Sequence, residues 1–265
     1  MNIKKRVCIV LLTTIGVAFL NTTPIIAQTF ELNVVDTIQG YQTGTIRGYD
    51  IACADSEHCA YVGKIDSFSV IASFIRSTTD GGTTWRTVWT DSFTVTNQRL
   101  LMPNRIAHPT PSLIIMVADG GYVFRSTNGG ESWREERLFT ESISLRSLEM
   151  FDGEKGVVIA GSSRIFQTID SGSSWQPVAL PDSLLSYSYD YAIPLTPRKL
   201  LIRIAKPGDV RVVLTENEGD NWRVVTGPWA AARMSFVDSL YGWAGGNELD
   251  SGSLFVGKDV IVQTT

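Results

Sequence analysis

The chain has 265 residues, 43% of them hydrophobic and 19% charged, with a formal net charge of -4. That is enough apolar material for one large domain or two smaller ones, and the composition is not that of a disordered chain. No run of Lys and Arg stands out, which argues against a nucleic-acid partner.

Lys4, Lys5 and Arg6 precede an apolar run of 14 residues from Val7 to Leu20, followed by a mixed stretch that reaches Ala27 and Gln28. A basic start, a short apolar run and a small residue before a polar one describe a secretory signal peptide, cut after Ala27. The run is short of the roughly 20 residues that span a bilayer. The expectation is a signal peptide at residues 1–27 and an exported domain at 28–265. The mature protein is then secreted, periplasmic or on the cell surface, with no membrane span.

Next come Cys53 and Cys59, the only cysteines left after cleavage, in DIACADSEHCAYVG. Apolar stretches flank a polar turn, so the two can face each other across a hairpin. In an oxidising compartment a disulfide is favoured over free thiols. A metal site would need more ligands, and the chain has only two histidines, His58 and His108. No metal or other cofactor is expected.

The stretch ending at Trp85 opens a repeat. Aligned on tryptophan, the chain reads TTDGGTTW, STNGGESW, TIDSGSSW and TENEGDNW, at spacings of 48, 42 and 47 residues. The recurring positions are Thr78, Asp80, Gly82 and Trp85; Ser126, Asn128, Gly130 and Trp133; Thr168, Asp170, Gly172 and Trp175; and Thr215, Asn217, Gly219 and Trp222. Short runs rich in Val, Ile, Tyr and Phe surround each copy, separated by Gly, Pro and Asp turns. Each period holds about four strands in up-and-down order, the content of one β-propeller blade, with the motif between the third and fourth strands. A fifth unit follows in RMSFVDS, YGWAGG and VIVQTT, and the chain stops where the next motif Asp should come. The expectation is an all-β propeller truncated within this fifth blade. Residues 247–259 are expected to lengthen its second turn.

Every motif residue has a structural use. Asp or Asn accepts backbone N–H groups and holds the turn closed. Glycine permits a positive φ, hydroxyls satisfy further turn groups, and each Trp can bury about 150–250 Å² between sheets. Asn in two of the four copies removes the charge that a general acid needs, so no catalytic residue is assigned to the motif.

The motif resembles the Asp-box, or bacterial neuraminidase repeat, Ser/Thr-x-Asp-x-Gly-x-Thr/Ser-Trp. Over about residues 45 to 265 the chain is most similar to photosystem II stability/assembly factor-like proteins. The resemblance implies the propeller fold; it is weak for biochemical role, and the assembly function is not carried over. Asp-box sialidases carry a Phe/Tyr-Arg-Ile-Pro element before the first repeat. Arg47 in TIRGYD and Arg76 in FIRSTT lack the Ile-Pro, and Arg105 and Arg203 fall in the wrong place. A xyloglucan-degrading pattern would need two opposed carboxylates; Asp50, Asp55 and Asp119 read as turn residues instead. Arg76 and Arg125 stand just before their motifs and could share a surface that binds a partner's carboxylates, although solvated strand positions are the commoner reading.

Two functions follow. The favoured one is an exported, non-catalytic propeller binding or scaffolding a protein or glycan partner on one face. The alternative is an Asp-box glycoside hydrolase, sialidase-like or xyloglucan-degrading, and whether the chain is an enzyme stays open, leaning towards not. A structural module with a sorting domain further downstream is a third possibility.

Overall fold

The computed structural model describes residues 45–66, 71–92, 101–161, 164–196, 198–225, 231–236, 242–249 and 257–263. The signal-peptide region lies outside them, as does Tyr241 of the fifth unit. Nineteen strands form five antiparallel sheets, each built from consecutive strands in chain order. The first blade is Thr45–Cys53 (β1), Cys59–Asp66 (β2), Ile71–Thr78 (β3) and Arg86–Ser92 (β4). The second is Pro103–Ala107 (β5), Ile114–Ala118 (β6), Tyr122–Ser126 (β7) and Arg134–Arg137 (β8). The third is Leu145–Met150 (β9), Gly156–Ala160 (β10), Arg164–Thr168 (β11) and Gln176–Pro177 (β12). The fourth is Ser188–Pro194 (β13), Leu200–Lys206 (β14), Asp209–Thr215 (β15) and Arg223–Val225 (β16). The fifth has three described strands, Ala231–Phe236 (β17), Gly242–Leu249 (β18) and Gly257–Gln263 (β19). β18 and β19 extend into the stretch expected to be a long turn, so that turn is shorter than the sequence suggests.

Burial explains the strand sequences. The second strands β6 and β10, IIMVA and GVVIA, are buried at every position because a neighbouring blade covers each face. A strand covered on both faces needs a continuous apolar run, not an alternating one. The outer strands carry charge and stay wet, as in REER of β8. The outer strand of the third blade is only Gln176–Pro177, since proline cannot donate to a ladder.

The hydrophobic core lies in layers between blades. Ile75, Ile106, Met116 and Phe124 fill the first junction, Ile115, Leu145, Leu148 and Val158 the second, and Ile159, Ile165, Tyr189 and Ile202 the third. The first strands of neighbouring blades stand together, β1 by β5, β5 by β9 and β9 by β13. Among the described residues no helix is long and apolar enough to cross a membrane.

Candidate functional site

Four turns of one design join the third and fourth strands of the first four blades. In the first, the Thr78 hydroxyl is buried, donates to Asp80 Oδ1 at 2.7 Å and accepts the Gly82 N–H at 2.9 Å. Asp80 in turn accepts the Thr84 N–H at 2.8 Å and the Thr84 hydroxyl at 2.6 Å. Thr168, Asp170, Gly172 and Ser174 repeat this set. In the second turn Asn128 replaces the acid: its Oδ1 accepts the Ser132 N–H and its Nδ2 donates to the Ser132 hydroxyl, both at 2.9 Å. Thr215, Asn217, Gly219 and Asn221 keep the backbone bonds of the same turn.

The carboxylates of these turns are committed. The Thr84 hydroxyl and N–H, with the Thr78 hydroxyl, push Asp80 down to about 2. Burial opposes ionisation of Asp170, but the bonds from Ser174 and Thr168 outweigh it and hold its pKa low. A carboxylate ionised so readily is a poor proton donor near neutral pH.

The turns also bind neighbours. In each copy the fourth residue donates its N–H to the turn between the first and second strands: Gly81 to Glu57, Gly129 to Ser112, Ser171 to Glu154 and Glu218 to Arg198, at 2.8–3.1 Å. The fourth and fifth residues both have positive φ, including Ser171 at 61° and Glu218 at 62°. The fifth must be glycine for a second reason: a Cβ on Gly130 would stand 2.9 Å from Val88, and one on Gly172 2.8 Å from Ile115, both in the preceding blade. Trp133 packs at the first junction and its Nε1 donates to the Val88 carbonyl at 2.9 Å. Trp175 and Trp222 pack at the second and third junctions, whereas Trp85 packs on Tyr61 within the first blade, centroids 5.1 Å apart.

Arginines of one blade clasp the next blade's turn. Arg86 Nη2 donates to the Gly129 carbonyl at 3.2 Å and Arg125 Nε to the Ser171 carbonyl at 2.6 Å. Both carbonyls belong to the fourth motif residue. Arg76 works within its own blade, donating to the Trp85 carbonyl at 2.7 Å and the Thr87 hydroxyl at 3.2 Å. Each guanidinium is thus hydrogen-bonded to protein, Arg76 to its own blade and Arg125 to the next.

Cys53 and Cys59 are bonded to each other and are register partners across β1 and β2. In the loop they close, Asp55 accepts the Glu57 and His58 N–H groups at 2.8 Å and contacts His58 Nδ1 at 2.9 Å. Asp119 sits in a short 3₁₀ turn, Asp119–Gly121, and accepts from Ser144 Oγ at 2.6 Å and Asn104 Nδ2 at 3.0 Å. Asp50 is not a turn residue as its sequence suggests. It lies on β1, just past a bulge, and accepts the Ile106 N–H of the second blade at 2.9 Å.

The bulge recurs. The first strands β5, β13 and β17 each slip register at the same place, between Pro103 and Arg105, Tyr189 and Tyr191, and Ala231 and Arg233. In β9 the slip lies opposite Ile159 and Ala160. Bulges re-aim side chains; Asp50 and Arg105 each stand just past one and, with Glu149 of the third blade, form one electrostatic group. Glu149 is solvent-exposed on β9, yet the protein packed around it, and then the Asp50 charge, push it up to about 7 against the pull of Arg105. Burial also raises Asp50, countered by the Ile106 N–H and Arg105.

The third junction differs from the other two. Its preceding blade has Gln167 where the second blade has the clasping Arg125, and Gln176 where the first has the clasping Arg86 and the second Arg134; the first blade has Ser77 at the position of Gln167. Among the described residues no side chain clasps the Glu218 carbonyl. Two adjoining grooves open along this junction, sharing Gln167, Val178 and Glu218. Phe151 and Ile169 stand on the rim, 38% and 68% exposed, over a floor that includes Val157, Val178 and Leu200. Ile169 holds the second motif position, which is Thr79, Thr127 and Glu216 in the other copies. Lys155, Arg198 and Lys199 line the same groove; Lys199 pairs with Glu216 at 3.1 Å, while no carboxylate among the described residues pairs with Lys155 or Arg198. The signal was present in the sequence as departures of the third copy from its siblings. Among the described residues no group of three His, Cys, Asp or Glu side chains could hold a metal ion.

No protein-family model matches the chain, and no curated protein matches it in sequence. Solved structures do match. The chain is similar to an oligogalacturonate lyase solved in complex with manganese, at 10% identity over 89% of this chain and 68% of that one, with a TM-score of 0.62. It is similar to the GH74 enzyme of Niastella koreensis, at 16% identity over 82% of this chain and 36% of that one, with a TM-score of 0.55. The fold is a β-propeller. The protein YCF48 bound to D1 peptide is a further neighbour, at 14% identity over 79% of this chain and 81% of that one, with a TM-score of 0.49. The propeller spans about a third of the length of the GH74 enzyme. At these identities the lyase and the GH74 enzyme share a fold alone with this chain.

Proposed function

We propose that the chain is an exported, non-catalytic β-propeller that holds a protein or glycan partner on the face carrying its motif turns. One observation carries this reading: the third junction, alone among the three whose side chains are described, has no arginine at either motif-flanking position, carrying Gln167 and Gln176 there, and opens a groove with two exposed apolar side chains on its rim. Loops on a rigid scaffold are where propellers place recognition. Residues 1–27, with their signal-peptide pattern, and the Cys53–Cys59 disulfide support an oxidising, extracytoplasmic setting. Four Asp-box turns whose polar groups bond within the fold support a structural role for the motif.

A second reading, an Asp-box glycoside hydrolase, has one observation in its favour. Asp50 and Glu149 are two interacting carboxylates, and Glu149, raised to about 7, suits a general acid near neutral pH. Assay on sialosides, xyloglucan and oligogalacturonate separates the two. The binding reading expects no turnover on any of them. Turnover that disappears in Glu149→Gln while the variant remains folded establishes the hydrolase instead.

A further inference from the structure

We infer that the groove at the third junction receives an extended acidic peptide, with one apolar side chain seated beside its carboxylates; this rests on the binding-propeller reading. The two adjoining grooves make one elongated path, from Phe151 at the turn-bearing face to Trp222 further along the junction. Elongation suits an extended chain. The floor is aliphatic, with Val178 and Leu200 nearly buried and Ile169 beside them on the rim. A sugar ring presents hydroxyls that such a floor leaves without partners, which is costly. A Leu, Ile, Val or Phe side chain loses nothing there and gains by leaving water.

Charge supplies the other half. The chain is acidic overall, yet Lys155 and Arg198 at this groove have no carboxylate partner among the described residues. Arg198 is held in place by its carbonyl, which accepts the Glu218 N–H at 3.1 Å. A carboxylate on an incoming peptide can meet the Arg198 guanidinium and the Lys155 ammonium without breaking an existing pair. In the second blade the position of Gln167 is Arg125, whose guanidinium spans to the next turn. The glutamine leaves that span uncrossed.

The test uses the full chain and fluorescein-labelled peptides of one design, a single Leu, Ile, Val or Phe between Asp and Glu residues in a Gly-Ser frame. Companion peptides carry Asn and Gln in place of the acids, and a labelled oligogalacturonate serves as the acidic glycan. Fluorescence polarisation should show saturable binding of an acidic peptide, with the amide companion weaker by about tenfold or more and the difference shrinking at high salt. Arg198→Gln and Ile169→Thr should each weaken it by about five- to tenfold, with melting temperatures unchanged because both side chains are exposed, and Gln167→Arg should block it. The inference is overturned if no acidic peptide in the set binds, if acid and amide peptides bind alike, or if Ile169→Thr and Arg198→Gln leave binding intact. Groove-dependent binding of the oligogalacturonate alone overturns the peptide inference and leaves the binding reading standing. Loss of the binding reading itself shows differently, as glycoside turnover abolished by Glu149→Gln.

Discussion

Arg125 of the second blade donates to the carbonyl of Ser171 in the third at 2.6 Å, so a side chain of one sheet holds shut the turn of the next. The bond is charge-assisted and partly shielded from water. Arg125→Met should lower the unfolding free energy by about 1.5–3 kcal/mol, the usual worth of a hydrogen bond to a charged group. Urea denaturation measures it. An unchanged midpoint would show the clasp to be incidental.

Asp80 should tolerate Asn and not Ala. Asn128 shows that the amide makes the same turn, accepting the N–H of Ser132 and donating to its hydroxyl. Ala loses every acceptor at once. The pH dependence has a sign: with its pKa depressed to about 2, Asp80 stabilises the fold above its ordinary value near 3.8. That contribution fades as pH falls from there towards 2. Melting temperature against pH should therefore show a shallower acid limb in Asp80→Asn than in the parent.

Glu149 should act in the opposite direction. Its pKa is raised from an ordinary 4.5 to about 7, so the folded state binds the proton more tightly than the unfolded chain. Stability from this group is full below 4.5 and declines as pH rises through 7. Glu149→Gln, which stays neutral, should flatten the melting temperature across that window. A profile identical to the parent's would mean that water reaching the carboxylate offsets the crowding.

How much of this could be read from the chain depends on distance along it. The turns were legible because Thr78, Asp80, Gly82 and Trp85 act within eight residues and recur four times. The strands were legible because burial on both faces of a blade demands runs such as IIMVA. The Asp50, Arg105 and Glu149 group was not legible, because its members come from three blades and two of them follow bulges, which leave no reliable mark in a sequence. The roles of Arg76 and Arg125 were misleading for a related reason. Arg76 stands two residues before its motif and Arg125 one, on opposite faces of their strands, so their guanidiniums meet different acceptors, one in its own blade and one in the next. The groove was encoded in Gln167, Ile169 and Gln176, visible as exceptions once the role of the arginines is known.

Ser171 and Glu218 adopt positive φ where two sister turns have Gly81 and Gly129. A side chain in this region carries strain that glycine lacks. Ser171→Gly and Glu218→Gly should each raise the melting temperature by about 2–4 °C, the shift that about 1 kcal/mol produces in a domain of this size. Differential scanning fluorimetry checks both. A drop in either would show that the parent side chain contributes more than its strain costs.

The clasps between blades all point one way along the chain. Val88 accepts Trp133, the Arg86 guanidinium meets Gly129, and the Arg125 guanidinium meets Ser171, so the second and third turns are each finished against the sheet that precedes them. Such a fold has a built-in order of assembly. A polypeptide emerging amino end first, from a ribosome or through a membrane, presents every docking surface before the turn that needs it, and no blade has to wait for a later one.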